Sequence, residues 1–165
     1  MKIQLREFDV LKSTNETAVA MAQEGAPEGT VIVAARQEGG HGRMQRVWNS
    51  PLGGLWFTVI LRPQIDPQYA AQITLLAGVA VAKAVRRLYD TESVQIKWPN
   101  DLLLDGKKIC GILSELQLDE NAVIDYAIVG IGVNVALSAA DFPAEVAATA
   151  TSLNTSLHKD FTCDQ

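Results

Sequence analysis

The sequence has few cysteines, no long apolar run and no excess of positive charge. Its two cysteines, Cys110 and Cys163, do not have the spacing of metal ligands, and so low a number is typical of a reducing compartment such as the cytoplasm. No apolar stretch reaches the roughly 18 residues that a membrane-spanning helix needs. Residues 1–10 carry charges throughout, unlike a signal peptide, and the net charge of −5 argues against a general nucleic-acid-binding protein. These features predict a soluble cytoplasmic protein and do not indicate its chemistry.

Two common nucleotide-binding motifs are also absent. No Gly-x-Gly-x-x-Gly opens a helix after a strand, and no Gly-x-x-x-x-Gly-Lys-Ser/Thr occurs. Any nucleotide would therefore have to bind without a Rossmann or P-loop device. The 165 residues, of which 48% are hydrophobic and 20% charged, suit one globular domain with a single core.

Hydrophobic patterns predict a sheet of several strands. We expect strands at 3–10, 30–36, 55–61 and 93–97, and a final pair of strands over 123–135. Asp105-Gly106, between two apolar runs, predicts a two-residue hairpin turn. With helices between the strands, the sequence predicts one α+β domain that has a mixed, largely antiparallel sheet with helices packed on it.

Capping residues and apolar spacing predict two helices. Ser13 and Glu16 form a capping-box pattern for a helix that ends near Gly25. Pro67 opens a long helix to about Tyr89, and its core face is expected to carry Ile73, Leu76, Ala77, Ala80, Ala84 and Leu88. The polar residues 154–165 are expected to form a tail without a regular element.

A glycine-rich stretch at 37–54 separates two predicted strands. It contains five glycines and no apolar period, and loops of this length inside a domain are usually functional or disordered. Glycines let backbone amides approach an anion, the guanidinium groups of Arg43 and Arg46 offer donors to phosphate, and Trp48 can stack on a base. A solvated surface loop is the alternative on composition alone.

Residues 97–101, Lys-Trp-Pro-Asn-Asp, form a second candidate. Pro99 favours an extended conformation at Trp98, and Asn100 and Asp101 offer oxygens suited to Mg²⁺. A simple turn between strands is the alternative.

Lys108 is a third candidate because the strand that it begins is apolar on both faces. Cys110 and Ile112 point to one side and Ile109 and Leu113 to the other, so we expect the strand to be covered on both sides. A lysine in such a place usually pairs with a carboxylate or phosphate. A lysine that reaches solvent from the hairpin tip is the alternative, and the adjacent Lys107 is the solvated one of the two.

Two shorter segments have plainer explanations as alternatives. Gly130 and Gly132, followed by Asn134, mark a strand end where a ligand or another backbone can approach closely, or a simple bulge. Ser13-Thr14-Asn15 needs no explanation beyond helix capping.

Taken in order, these segments resemble biotin protein ligases from about residue 5 to 153. The matching segments are STN at 13–15, GHGRMQRVWNSPLGGLWFTVILRP at 40–63, KWPNDLLLDGKKICGIL at 97–113 and GIGVNV at 130–135. The resemblance implies a fold like that of class II aminoacyl-tRNA synthetases and biotin ligases, with residues 1–153 as the catalytic domain. It also implies an enzyme that makes biotinyl-5'-AMP from biotin and ATP with Mg²⁺, and transfers biotin to a lysine of a biotin carboxyl carrier protein.

The resemblance assigns roles by position. Catalytic roles are implied for Lys108, Arg43 and Asp101, with Lys108 between the biotin carboxylate and the adenylate. The residues implied for biotin are Ser13, Thr14, Asn15, Gln37, His41, Gly42, Arg43, Lys108 and Gly111. Those implied for ATP and the adenylate are Arg43, Arg46, Trp48, Asn100 and Asn134, and those for Mg²⁺ are Asp101 and Asn100.

Three departures from the family pattern affect what is expected. His41 stands where the family often has arginine. The family's C-terminal β-barrel is not expected here, which leaves a truncated, non-catalytic biotin or biotinyl-adenylate-binding protein as an alternative. No helix-turn-helix is expected, so neither is DNA binding. A homodimer is one expected assembly. A lipoate-type ligase is a further alternative, but its loop with paired arginines and three glycines does not occur.

Overall fold

The structure, a computed structural model, describes residues 1–163, and their strands form one mixed sheet. The strands are β1 (Gln4–Leu11), β2 (Thr30–Gln37), β3 (Gly54–Leu61), β4 (Val94–Lys97), β5 (Asp101–Leu104), β6 (Lys107–Leu118) and β7 (Ile124–Asn134). Their order is β1-β2-β3-β7-β6-β5-β4. The pair β1–β2 is parallel and the other neighbours are antiparallel. The predicted α+β fold with a largely antiparallel sheet is confirmed.

Helix α1 (Thr14–Gln23) follows β1 and begins at the predicted cap. The Ser13 hydroxyl accepts from the Glu16 backbone N–H at 3.5 Å, while the Glu16 carboxylate pairs with Lys12 at 3.0 Å instead of returning to the cap. Gly25 has φ of +89°, a conformation that glycine adopts without strain and that commonly ends a helix. The helix packs through Ala18 and Ala22 on the sheet.

Helix α2 (Ala71–Tyr89) confirms the second predicted helix, and its predicted core face is confirmed at Ile73 and Ala77 but not at the other four positions. A short 3-10 turn at Pro67–Tyr69 precedes it. The buried residues are Ile73, Gly78, Ala82 and Val85, whereas the predicted Leu76 and Leu88 are 67% and 69% exposed, and Ala80 and Ala84 are also exposed. The buried face is rotated about the helix axis by roughly 100° from the predicted face, which corresponds to a shift of one residue. The apolar residues of α2 occur on all sides of the helix. Their spacing therefore does not identify the side on which Gly78 and Ala82 allow the helix to approach the sheet closely.

The region 124–134 is one strand, not the predicted pair. Strand β7 pairs along its whole length with β3 on one side and β6 on the other. Alternate residues face opposite sides of a strand. Tyr126 and Ile128 contact the cluster that includes α1, while Val129 and Ile131 join the cluster of α2 residues. The two helices therefore cover opposite faces of the sheet, and neither is long and apolar enough to cross a membrane, nor is any other helix within 1–163.

The predicted turn at Asp105-Gly106 is confirmed. Both residues have positive φ, 50° and 78°, as a two-residue type I′ hairpin requires. The turn joins β5 to β6, and a register shift follows in which Leu103 pairs with Lys108 and Leu102 with Cys110. Because of this bulge, the side chain of Lys108 does not follow the regular alternation of side chains between the two faces of the strand.

The expectation that residues 154–165 lack a regular element is wrong at the start of this segment. A short helix α3 (Leu153–Leu157) begins at Ser152, whose hydroxyl accepts from the Thr155 backbone N–H at 3.2 Å. Farther on, the ring of Phe161 packs edge-on against Tyr89 with centroids 4.3 Å apart. Residues 164 and 165 lie outside the described residues. A capping serine and a few apolar contacts are enough to order this short segment.

Candidate active site

The residues predicted to bind biotin, ATP and metal line a single cavity of about 670 Å³. It lies where the N-terminus of α1, the ends of β2 and β7 and the start of β6 come together. The structure thus brings together side chains that are distant in sequence, although the role of each one stays a prediction. The predicted residues that line the cavity are Ser13, Thr14, Asn15, Gln37, His41, Gly42, Arg43, Arg46, Trp48, Asn100, Asp101, Lys108, Gly111 and Asn134.

Three glycines allow two large side chains to lie directly on the sheet. A Cβ atom at Gly132 would lie 2.5 Å from Trp48 Nε1, and one at Gly111 would lie 3.0 Å from Trp48 Cζ3. At Gly130 a Cβ would lie 2.1 Å from Asn15 Oδ1. The pairing of β7 is continuous through both of its glycines, so the simple bulge considered from the sequence is wrong. Glycine at these positions makes room for Trp48 and Asn15.

A chain of hydrogen bonds connects α1 to the glycine-rich loop. The backbone N–H and the hydroxyl of Thr14 donate to Gln37 Oε1 at 2.7 and 3.0 Å. Gln37 Nε2 donates to Ser50 Oγ at 2.9 Å, and Ser50 Oγ donates to the Trp48 carbonyl at 3.1 Å. Because Gln37 Oε1 accepts from a backbone N–H, the direction of its amide is fixed. Thr14 therefore does more than begin a helix.

Lys108 is paired with a carboxylate, as one reading of the sequence predicted. Its Nζ lies 2.6 Å from Asp101 Oδ1, and the side chains of the pair are 31% and 20% exposed. The same Nζ lies 5.0 Å from the centre of the Trp48 ring, within the range of a cation–π contact. Lys107 is exposed. The lysine is thus held over the cavity by its partners instead of extending into solvent from the hairpin tip.

The backbone around Lys108 is held from a second side. Its N–H donates to the Thr149 carbonyl at 2.8 Å, and the Thr151 N–H donates to the Lys108 carbonyl at 3.0 Å. Asn134 Nδ2 donates to the Thr151 carbonyl at 3.0 Å. The residues around Thr151 therefore connect the start of β6 to the end of β7, on both sides of the cavity.

The glycine-rich loop forms a small hairpin over the cavity. The Gly42 N–H donates to the Arg46 carbonyl at 2.8 Å, and the Trp48 N–H donates to the Gly40 carbonyl at 2.9 Å. The exposed Arg43 donates from Nη1 to Asn100 Oδ1 at 3.5 Å. Asn100 Nδ2 donates to the Ile112 carbonyl at 2.9 Å, so the Asn100 oxygen faces the loop. The two predicted phosphate-binding segments are therefore adjacent.

The buried Trp48 indole N–H has no hydrogen-bond partner among residues 1–163. A buried donor without a partner is costly. Because Trp48 lines the cavity, a ligand acceptor or a water molecule there would satisfy it.

A cavity wall at 142–150 was missed from the sequence. Its members that line the cavity are Phe142, Pro143, Glu145, Val146, Thr149 and Ala150. This alanine-rich segment has no hydrophobic periodicity and no motif. Its one local signal is the helix-capping box formed by Ser138 and Asp141, which precedes it. Hydrogen bonds from the Ser138 hydroxyl and backbone N–H lower the pKa of Asp141. Asn49 Nδ2 donates to the Asp141 carbonyl at 2.6 Å and thereby connects this wall to the glycine-rich loop.

The sequence matches a known family over most of its length. The family model of the Biotin/lipoate A/B protein ligase family matches residues 7–134, which include the glycine-rich loop, Lys108 and Asn134. The chain belongs to this family. The resemblance stated from four sequence segments is confirmed.

Members of this ligase family with similar sequences include two bacterial proteins. The bifunctional ligase/repressor BirA of Bacillus subtilis (strain 168) is 49% identical over 147 residues, which are 88% of this chain and 45% of that protein. The biotin–[acetyl-CoA-carboxylase] ligase of Mycobacterium tuberculosis is 34% identical over 156 residues, 90% of this chain and 55% of that protein. The chain spans about half the length of these relatives.

Solved structures of the family agree in fold. The biotin protein ligase of Aquifex aeolicus in complex with biotin and ATP has a TM-score of 0.80 at 32% identity, over 98% of this chain and 64% of that one. The biotin protein ligase of Leishmania major in complex with biotinyl-5-AMP has a TM-score of 0.79 at 27% identity, over 98% and 69%.

Proposed function

We propose that this chain forms biotinyl-5'-AMP from biotin and ATP and transfers the biotinyl group to a lysine of a biotin carboxyl carrier protein. The observation that carries the proposal is that a polar floor and a cationic centre share one cavity. Thr14, Asn15 and Gln37 supply the floor, and Lys108 lines the same cavity as Arg43 and Arg46 of the loop. The solved relatives described above hold biotin with ATP, or biotinyl-5-AMP, which supports the same ligands here.

The first step joins two anions, which explains the need for cations. A carboxylate oxygen of biotin attacks the α-phosphorus of ATP, and the bond to the β-phosphate oxygen breaks to release pyrophosphate. Lys108 would lie between the carboxylate and the phosphate, and Arg43 would contact phosphate oxygens. Both would offset the repulsion between the reactants and stabilise the charge that develops in the transition state.

In the second step, the carrier lysine nitrogen attacks the carbonyl carbon of the anhydride, and AMP leaves. The lysine must lose a proton before or during attack. This chain supplies no nucleophile of its own in the proposed sequence. Its loop hairpin and the wall at 142–150 would exclude water from the anhydride until the carrier arrives.

Mg²⁺ fits the cavity as a metal held largely by the nucleotide. No group of three or more His, Cys, Asp or Glu side chains suited to a metal occurs in the described part of the chain. Mg²⁺ usually binds through one or two carboxylates together with substrate phosphates and water. We propose that Asp101 and Asn100 would be its protein ligands. When bound, the metal would neutralise phosphate charge.

We also propose that the reaction takes place in the cytoplasm. ATP as a substrate and the low number of cysteines support this location. The acceptor class is supported by the name of the Mycobacterium tuberculosis relative, a biotin–[acetyl-CoA-carboxylase] ligase.

Biotin-dependent exchange of labelled pyrophosphate into ATP tests the proposed function. We expect exchange when biotin, ATP and Mg²⁺ are present, and none when lipoate replaces biotin. Exchange with lipoate alone would favour the lipoate-type alternative. Biotin binding without any exchange would favour a non-catalytic binding protein and contradict the proposal.

A further inference from the structure

Glu115 contacts the cavity floor from the part of β6 that lies beyond Lys108 and Gly111, the residues of this strand that were predicted for the site. It lies on β6, where Gly111, Leu113 and Glu115 pair with Gly132, Gly130 and Ile128 and so share the sheet face that carries the cavity. Its Oε2 accepts a hydrogen bond from Asn15 Nδ2 at 2.6 Å. The Asn15 residue is 6% exposed. Glu115 itself is exposed, and its charge makes this short bond to a nearly buried amide stronger than a bond between neutral groups.

This contact determines which end of the Asn15 amide points where. An ionised carboxylate can only accept hydrogen bonds, so the NH₂ group of Asn15 must face Glu115 and its Oδ1 must face the opposite way. There the fully buried Thr58 hydroxyl donates to Oδ1 at 2.7 Å. The same Thr58 hydroxyl lies 2.8 Å from Thr14 Oγ1.

We propose that Glu115 is a positioning residue that fixes the direction of the Asn15 amide and thereby selects a ligand with a carbonyl oxygen at the cavity floor. The Asn15 amide has a second N–H besides the one given to Glu115, and Asn15 lines the cavity. A reversed amide would present its carbonyl there and repel a ligand carbonyl. The inference rests on the proposed function, because biotin carries such an acceptor in its ureido carbonyl.

Calorimetric titration of biotin into four proteins tests the inference. These are the unaltered protein, Glu115→Ala, Glu115→Gln and Gln117→Ala. Removal of the acceptor in Glu115→Ala should weaken biotin binding roughly 10-fold or more. Glu115→Gln should stay within about threefold, because its amide oxygen can still accept from Asn15. Gln117, two residues farther along the same strand, bonds the Leu118 carbonyl, and its alanine variant should match the unaltered protein.

A double variant separates positioning from a general structural effect. If Glu115 acts through Asn15, Glu115→Ala should have no further effect on biotin affinity in an Asn15→Ala background. The affinity for ATP should be the same in Glu115→Ala and in the unaltered protein. Equal weakening of biotin and ATP binding, or full additivity of the two substitutions, would contradict a positioning role.

Two different results separate the role of Glu115 from biotin binding itself. Biotin binding by the unaltered protein that Glu115→Ala leaves unchanged would overturn this inference alone. Absence of biotin binding in the unaltered protein would overturn the proposed function and this inference together.

Discussion

The indole of Trp48 lies directly on the backbone of Gly132, at a distance that no other residue type would permit. A Cβ atom at Gly132 would lie 2.5 Å from Trp48 Nε1 and 2.9 Å from Cε2. Trp48 meets Trp56 edge-on, with ring centroids 6.4 Å apart, so the indole is bounded on that side as well. The position of the ring in the cavity therefore depends on the missing side chain at Gly132.

Gly132→Ala is expected to displace the Trp48 ring and weaken ATP binding. The added methyl group cannot be accommodated without movement of the indole, and overpacking of this kind costs about 1–3 kcal/mol. Calorimetry with ATP should show a loss of about 5- to 150-fold in affinity. Unchanged ATP affinity would mean that Trp48 does not contribute to the nucleotide site.

Gly78→Ala provides a matched glycine substitution outside the cavity and should stabilise the protein. Gly78 lies within α2, and a Cβ there would meet Ile112 Cδ1 at an ordinary contact distance of 3.9 Å. Alanine in a helix interior is favoured over glycine by about 0.5–1 kcal/mol. Urea unfolding should show this increase in the free energy of unfolding, with unchanged ATP affinity. A decrease would indicate that the approach of α2 to the sheet is closer than described.

Arg43→Ala is expected to release biotinyl-5'-AMP more readily than it slows its formation. The Arg43 side chain is exposed and contacts Asn100 across the cavity, apart from the buried floor. A guanidinium bond to an anion contributes about 1.5–3 kcal/mol, roughly 10- to 100-fold in retention. Biotinylation of a bystander protein measures the escape. Arg87→Ala, which removes an exposed arginine of α2, is the control, and equal bystander labelling by both variants would contradict the retention role.

The two cysteines should differ sharply in reactivity. Burial raises the pKa of the Cys110 thiol to about 12, with Lys108 opposing the rise and Asp101 adding to it. At pH 8 only about one Cys110 in 10,000 is then a thiolate, the reactive form. Cys163 is exposed. Iodoacetamide at pH 8 should modify Cys163 in the folded protein and both cysteines after unfolding, as read by mass spectrometry. Rapid modification of Cys110 in the folded protein would show that the β5–β6 hairpin opens.

Local signals in the sequence predicted the parts of the fold that depend on local chemistry. The Asp105-Gly106 turn and the Ser13 cap are examples, because positive φ and a capping hydroxyl are properties of single residues. The buried face of α2 could not be predicted in full, because the helix carries apolar residues on all its sides. The segment 142–150 has no pattern at all, and its place in the cavity depends on contacts between distant residues, Asn49 with Asp141 and Lys108 with Thr149.

The candidate site was predictable where residues of unusual type follow strands or begin hairpins, as Lys108 does. The hydrogen bonds that hold the floor of the site in place could not be predicted. Asn15 and Glu115 lie 100 residues apart, and Thr58 is an unremarkable position of a buried strand. Such pairings depend on strand register across the sheet, which the pairing of β3, β7 and β6 sets. Sequence spacing does not contain that information.

Lys108→Ala should stop adenylate formation while the protein remains folded. Asp101 loses its partner at 2.6 Å, and because the Asp101 Oδ1 atom is buried, the cost in stability is about 1–3 kcal/mol. The cost in the reaction is larger, because the two anionic substrates meet without the cation between them. Lys107→Ala is the matched control, since Lys107 is exposed and adjacent in sequence.

Biotin-dependent exchange of pyrophosphate into ATP, measured on these two variants beside the unaltered protein, tests whether Lys108 is the cation that brings biotin and ATP together. Lys108→Ala should lose at least about 100-fold in exchange rate, equivalent to about 2.7 kcal/mol of transition-state stabilisation, and Lys107→Ala should stay within about twofold of the unaltered protein. Equal activity of the two variants, or a greater loss in Lys107→Ala, would contradict the assignment of Lys108 as the cation that brings biotin and ATP together.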